Sequence, residues 1–128
     1  MSHNAPLHHH RLVAWQRADD LFIKIHQTSL KFPAHERYEL GSQIRRAAYS
    51  VVADIVEGFG RRTRRDRLYF LHIASASLAE AGYCIHAAGR LGYISADARK
   101  ELEIEIRKTA APLSGLIHTL DDPSYRAE

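Results

Sequence analysis

Apolar residues recur along this chain at alternating spacings of three and four, the signature of helices that turn one face to a core. Trp15, Ala18, Phe22, Ile25 and Ser29 keep that spacing first. They predict a helix over 13–30, ending ahead of Phe32-Pro33 because the residue before a proline avoids the α region. A second helix is expected over 35–57, with Leu40, Ile44, Ala48, Val51 and Ile55 inward and Gly58-Phe59-Gly60 supplying a left-handed cap. A third is expected over 64–90, with Leu71, Ser75, Leu78, Gly82, Ile85 and Gly89 along its seam. Half of these are small, which allows close helix approach, so Gly82 reads as a packing position despite costing about 1 kcal/mol in helix propensity. Leu91-Gly92-Tyr93-Ile94 is then a tight connection, and Ser95 an N-cap with Asp97 and Glu101 near the positive end of the helix dipole. The fourth helix, 96–120, sets Leu102, Ile106, Thr109, Leu113, Leu116 and Leu120 in heptad phase, with Pro112 expected to kink it. Helices of roughly 27–40 Å joined by short links become antiparallel neighbours. The expected fold is therefore all-α, a single-domain up-down-up-down four-helix bundle over 13–120, with flexible segments at 1–12 and 121–128.

Composition agrees with this picture. The chain has 128 residues, enough for one core, and 45% are hydrophobic, too many for a disordered protein. Seven Gly and four Pro are too few for the turn-rich rhythm of a β-sandwich or barrel. The one cysteine, Cys84, excludes an intrachain disulfide and a Cys-based zinc site, so a reducing, cytoplasmic location is expected. No apolar run approaches the roughly 18 residues of a membrane span, and residues 1–10 carry polar residues and histidines in place of an apolar signal region, so no membrane partner is expected.

The net charge of +3 conceals its distribution, since 14 of the 18 basic residues are arginine. Arg61, Arg62, Arg64, Arg65 and Arg67 crowd together with only Asp66 against them, a local +4 that leaves the rest of the chain at −1. Guanidinium forks recognise phosphate bidentately, whereas a merely solubilising surface mixes signs and uses more lysine. The cluster points to a nucleic-acid backbone. The competing reading has these arginines cap the second helix or pair with Glu101, Glu103 and Glu105. Tyr69 and Phe70 follow directly; they are placed to stack on bases, although helical spacing assigns at least one to the core. Ser50, Asp54 and Glu57 form a polar stripe on the second helix. It is either solvated or turned to another helix or subunit, pairing with Arg45, Arg46 and Arg61.

Catalytic and metal chemistry find no foothold. No acidic residue is followed three positions later by histidine, and no two histidines stand four apart, which removes the di-iron and zincin helix patterns. Adjacent His8, His9 and His10 read as a solvated tail. Gly58-Phe59-Gly60 lacks the third glycine of a phosphate loop, Thr63 standing there, and no strand precedes it. Cys84 and His86 are two apart and point to different helix faces. No catalytic residue, metal or cofactor is expected, and the chain does not read as an enzyme.

Gln43-Ile44-Arg45-Arg46-Ala47-Ala48, then Ser50, Ala53, Ile55, Glu57 and Gly58-Phe59-Gly60-Arg61, resemble the signature of the four-helix bundle family also called the 23S rRNA intervening-sequence protein family. Ala14-Trp15-Gln16 with Ala18, Phe70-Leu71 with Ile73-Ala74, Ser77-Leu78 with Glu80, and Leu91-Gly92-Tyr93-Ile94 extend the resemblance across 13–120. It implies a small bacterial cytosolic protein that assembles as a homopentameric ring, some members being encoded within insertions in 23S ribosomal RNA genes. The chain is also similar to the accessory protein of diversity-generating retroelements, a basic pentamer that binds nucleic acid and a reverse transcriptase. The resemblance places Arg45, Arg46 and Arg61 on basic positions, and Ser50, Glu57, Ser77 and Glu80 on recurrent polar ones. Val52, Asp54 and Val56 depart from the usual Pro, Asn and Ala, and Ala81-Gly82 from a leucine and an acidic residue. The expected function is binding of nucleic acid, RNA ahead of DNA, through Arg45, Arg46, Arg61, Arg62, Arg64, Arg65 and Arg67. The alternative is an adaptor that docks an acidic or nucleic-acid-processing protein such as a polymerase.

Overall fold

The computed structural model describes residue 9, residues 12–122 and residue 124. Four helices follow one another: α1 Val13–Ser29, α2 Leu40–Phe59, α3 Arg64–Arg90 and α4 Ala96–Asp121. Among the described residues there is no strand. Of the segments expected to be flexible, only His9, Leu12, Asp121, Asp122 and Ser124 are described, and Asp121 closes α4; the rest lie outside the described residues.

Contacts across the bundle make every neighbour antiparallel. Phe22 meets Tyr49, and the later Ser29 meets the earlier Arg45. Ser50 bonds Ser77, Gly82 faces Ile106, and Arg64 near the start of α3 reaches Asp122 beyond the end of α4. Lys24 on α1 pairs with Glu105 on α4, which closes the ring of four. The result is the expected up-down-up-down bundle, its core built from Leu21 and Ile25, Ile44, Val51 and Ile55, Leu71, Leu78 and Ile85, and Leu102 and Leu113. Ala47, Ala48, Ala74, Ala81 and Ala88 are buried between these large residues. With so little side chain between them, α2 and α3 share the most extensive contact in the bundle.

The seams differ in detail from expectation. On α1 the core takes Ala14 and Leu21, while the bulkier Trp15 and Phe22 are only half-buried at the flank. On α3 the core takes Ala74, Ala81, Cys84 and Ala88; Ser75 is exposed and Gly82 and Gly89 half-buried. The small-residue argument therefore holds for alanines rather than for Gly82, where an added Cβ would meet Ile106 at an ordinary 3.8 Å. On α4 Leu102, Thr109, Leu113 and Leu120 are buried as expected while Ile106 and Leu116 are half-buried, and the core admits one surprise, Glu105.

Helix ends show where local chemistry decides. Thr63 and Ser95 accept from the backbone N–H of Asp66 and Ala98, capping α3 and α4. α2 starts five residues later than expected, because Pro33 leads into a short 3₁₀ turn, Ala34–Glu36, whose Glu36 carboxylate then accepts from the Leu40 N–H. Gly60 does not form a left-handed cap: its φ is −82°, in the right-handed region. The left-handed glycine is Gly92, φ +77°, where Tyr93 N–H donates to Ala88 and Gly92 N–H to Gly89. This pair of bonds is the Schellman closure of α3.

By length and composition alone α3 is apolar enough to cross a membrane, although no apolar run suggested it. Its packing between α2 and α4 and its seven buried residues also fit the core helix of a bundle.

Candidate nucleic-acid interface

The link between α2 and α3 is only 60–63, so the arginines on either side of it share one end of the bundle. Gly58 makes the tight crossing possible. It is buried, and a Cβ there would stand 3.1 Å from Phe70 Cβ and 3.2 Å from the Arg67 carbonyl. Arg67 is half-buried and donates from Nε to the Arg61 carbonyl at 2.7 Å, tying the turn to the first coil of α3.

Arg61 is doubly held. Its Nη2 donates to Glu57 Oε1 at 2.6 Å, and its guanidinium carbon lies 4.7 Å from the Phe70 ring centre, a cation–π arrangement. Arg64 Nη1 donates to the Asp122 carbonyl at 3.4 Å. Arg62 and Arg65 are exposed and make no hydrogen bond or ion pair among the described residues. Of the acids named as competing partners, Glu105 is engaged with Lys24 and Lys108 and Glu103 with Arg99, and none of the three pairs with the cluster among the described residues. A shallow groove beside the turn is lined by Arg61, Arg65, Asp66, Tyr69 and Phe70.

The other two expected residues lie far from this cluster. Arg45 and Arg46 sit in the first turns of α2, and Arg61 follows its last, some 24 Å away along a 1.5 Å rise per residue. Arg45 is built into the fold: Nη1 donates to Ser29 Oγ and Nη2 to the Arg37 carbonyl, both at 2.9 Å. Arg46 is exposed, with one long bond to Gln43. The polar stripe divides likewise. Ser50 donates to Asp54 at 2.8 Å and accepts from Ser77 at 2.9 Å, joining α2 to α3, whereas Glu57 is exposed and pairs with Arg61. Among the described residues no three His, Cys, Asp or Glu side chains converge as a metal site would require. Cys84 is buried, which raises its thiol pKa, with the Glu80 charge adding to the effect.

Sequence reading missed Glu105 as a buried charge and Thr63 as the cap of α3. Thr63 carried a usable signal, a Thr with an acid three residues on; Glu105 carried none, since its partner is Lys24 on another helix.

The family model described as 23S rRNA-intervening sequence protein matches residues 10–115. A solved structure from Bacteroides thetaiotaomicron, described as a protein of unknown function from the S23 ribosomal protein family, is similar with a TM-score of 0.78 at 20% identity. The match covers 84% of this chain and 96% of that one, and shows a shared fold. No curated protein matches the chain.

Proposed function

This chain belongs to the 23S rRNA-intervening sequence protein family, and from that premise we propose that it is a non-catalytic, oligomeric protein that binds nucleic-acid backbone, RNA ahead of DNA. The observation that carries the reading is the pair Arg62 and Arg65, exposed and unpaired among the described residues, with Arg61 and Arg64 beside them. Free guanidinium groups crowded on one turn repel one another, and a phosphate chain relieves that repulsion while releasing counterions. Arg67 supports the turn from beneath, and Arg45 is a scaffold residue.

Assembly is supported by Ile23 and Ile104, which stand 47% and 39% exposed on a bundle whose fold leaves them uncovered. A ring of copies, five as the resemblance implies, repeats the arginine turn, and weak sites repeated along one strand gain avidity by orders of magnitude. The buried free thiol of Cys84 fits a reducing, cytoplasmic setting.

The test is a filter-binding salt titration of the wild type against a variant with Arg61, Arg62, Arg64 and Arg65 all changed to Ala. If all four contact phosphate, log K falls against log salt with a slope of about −2.8 on single strands and about −3.6 on duplex DNA, per engaged subunit. The variant, checked for fold and mass by circular dichroism and light scattering, loses that slope. Unchanged affinity and slope sink the proposal and leave the turn to a protein partner; a monomer mass at micromolar concentration sinks the oligomer.

A further inference from the structure

Building on the backbone-binding reading, we infer that the groove at the head of α3 holds one unpaired nucleotide, its base stacked on Tyr69 and guanine preferred through Asp66. Arg65, Asp66, Tyr69 and Phe70 stand at i, i+1, i+4 and i+5 on one side of the helix. Phe70 serves the fold. It is half-buried against Gly58 and roofed by the Arg61 guanidinium. Tyr69 does not: its ring meets Phe70 edge-on, 88° between planes at 5.1 Å, and the residue remains 62% exposed. The perpendicular seat leaves a ring face turned outward beside Arg65, whose guanidinium has no partner among the described residues. Residues four apart on a helix are some 5–6 Å apart at Cβ, comparable to the span from a base to its own phosphate.

A base paired within a duplex has both faces covered by its neighbours, so an aromatic side chain finds a partner only on an unpaired strand, loop or end. That chemistry selects single-stranded nucleic acid for this groove, whereas arginines alone accept either form.

Asp66 is the odd charge in the cluster. Its backbone N–H is satisfied by Thr63 Oγ1, and its carboxylate makes no hydrogen bond or ion pair among the described residues. An ionised carboxylate only accepts hydrogen bonds. Guanine is the one common base whose Watson–Crick edge offers two adjacent N–H donors, N1–H and the N2 amino group. Adenine and cytosine put an acceptor nitrogen next to their amino group, and uracil sets one N–H between two carbonyls. An acid beside the stacking ring therefore favours guanine.

Fluorescence anisotropy on the intact protein tests this with labelled twelve-nucleotide oligouridine carrying one central guanine, adenine or cytosine, and with a blunt duplex of the same length. The guanine strand is expected to bind several-fold tighter than the others, and the duplex weakest. Tyr69→Ala loses roughly fivefold or more on single strands, while Tyr69→Phe, which keeps the ring, retains affinity. Asp66→Asn binds the adenine and cytosine strands at least as tightly but levels the guanine preference, an outcome that a purely helix-stabilising acid does not produce. Equal binding of duplex and single strands with Tyr69→Ala unchanged overturns the inference and leaves backbone binding standing, provided the quadruple arginine variant still fails to bind. A guanine preference that is absent, or that survives Asp66→Asn, overturns the role of Asp66. Wild type that binds none of these probes overturns the inference and the proposed function together.

Discussion

Arg45 on α2 donates from Nη1 to Ser29 Oγ on α1 at 2.9 Å, and with its other nitrogen it holds the Arg37 carbonyl of the α1–α2 connection. One guanidinium thus fixes the end of α1, the start of α2 and the chain between them. Ser29 is buried and donates onward to the His26 carbonyl, so removing the arginine leaves an acceptor without its partner. Arg45→Met is expected to cost about 1–3 kcal/mol of stability in urea denaturation. Nucleic-acid affinity and its salt slope are expected to stay within twofold of wild type. A loss of slope would return Arg45 to the binding surface.

Two helical glycines are expected to respond in opposite directions to the same change. Gly82→Ala adds a methyl group at ordinary contact distance from Ile106 and raises stability by up to about 1 kcal/mol through helix propensity. Gly58→Ala gains the same propensity but presses on Phe70 Cβ and the Arg67 carbonyl. Overpacking of about 1–3 kcal/mol outweighs the gain. Thermal melts of both variants decide it, and a stabilised Gly58→Ala would show that the α2–α3 crossing yields easily.

Alkaline pH should weaken the bundle at two named contacts. The hydrogen bond to Glu105 chiefly raises the pKa of Lys24, burial opposing it, and the hydrogen bond to Glu36 raises that of the Tyr93 phenol. A raised folded value means that the stabilisation is complete below the unfolded pKa, about 10 for either group, and disappears as pH rises through the folded one. Melting temperature is expected to hold to about pH 9.5 and to fall above 10, with a shallower fall in Tyr93→Phe and Lys24→Met. An alkaline limb identical in both variants would refute the assignment.

Breaking the Lys24–Glu105 pair leaves a carboxylate whose side chain is only 8% exposed, with Lys108 at 3.9 Å as its remaining partner. Lys24→Met alone is expected to cost about 1–2 kcal/mol, between the values for exposed and buried pairs. The double change with Glu105→Leu should restore most of that loss, because an apolar pair needs no compensation for lost hydration. A double variant no more stable than the single one would show that the ion pair itself holds α1 on α4.

The thiol of Cys84 should be nearly inert in the native protein, since it is buried and burial raises its pKa away from thiolate formation. Iodoacetamide at pH 8 is expected to label it only as fast as the protein opens, and denaturant should accelerate the reaction strongly. Equal rates in the folded and unfolded protein would contradict this packing.

The fold was legible because every helix carries its own period of apolar residues, and the expected span of α3, 64–90, is the observed one. Errors fell where neighbours outweigh local pattern. Trp15 and Phe22 fit the spacing but are too bulky for the axis, which takes Ala14 and Leu21. Gly60 and Gly92 look equally suited to a left-handed turn, yet the short α2–α3 link needs none and the α3–α4 link does. Charge density along the chain disclosed Arg61 to Arg67. It could not disclose that Arg45 is committed to Ser29 or Glu105 to Lys24, because those partners meet only after the helices have packed.

An even number of antiparallel helices returns the chain to the end it left, so Val13 and Asp121 both lie at the end that carries the arginine turn. Protein engineering inherits that arrangement. A purification tag, fluorophore or surface linker joined directly beside Val13 or Asp121 crowds the cationic end and shades it from long polyanions. The Gly92 turn lies at the opposite pole; its left-handed φ of +77° reserves position 92 for glycine, but the neighbouring Leu91 is exposed. A dye or biotin carried there leaves the arginines facing solution, and single-molecule or sensor-surface measurements should be built from that side.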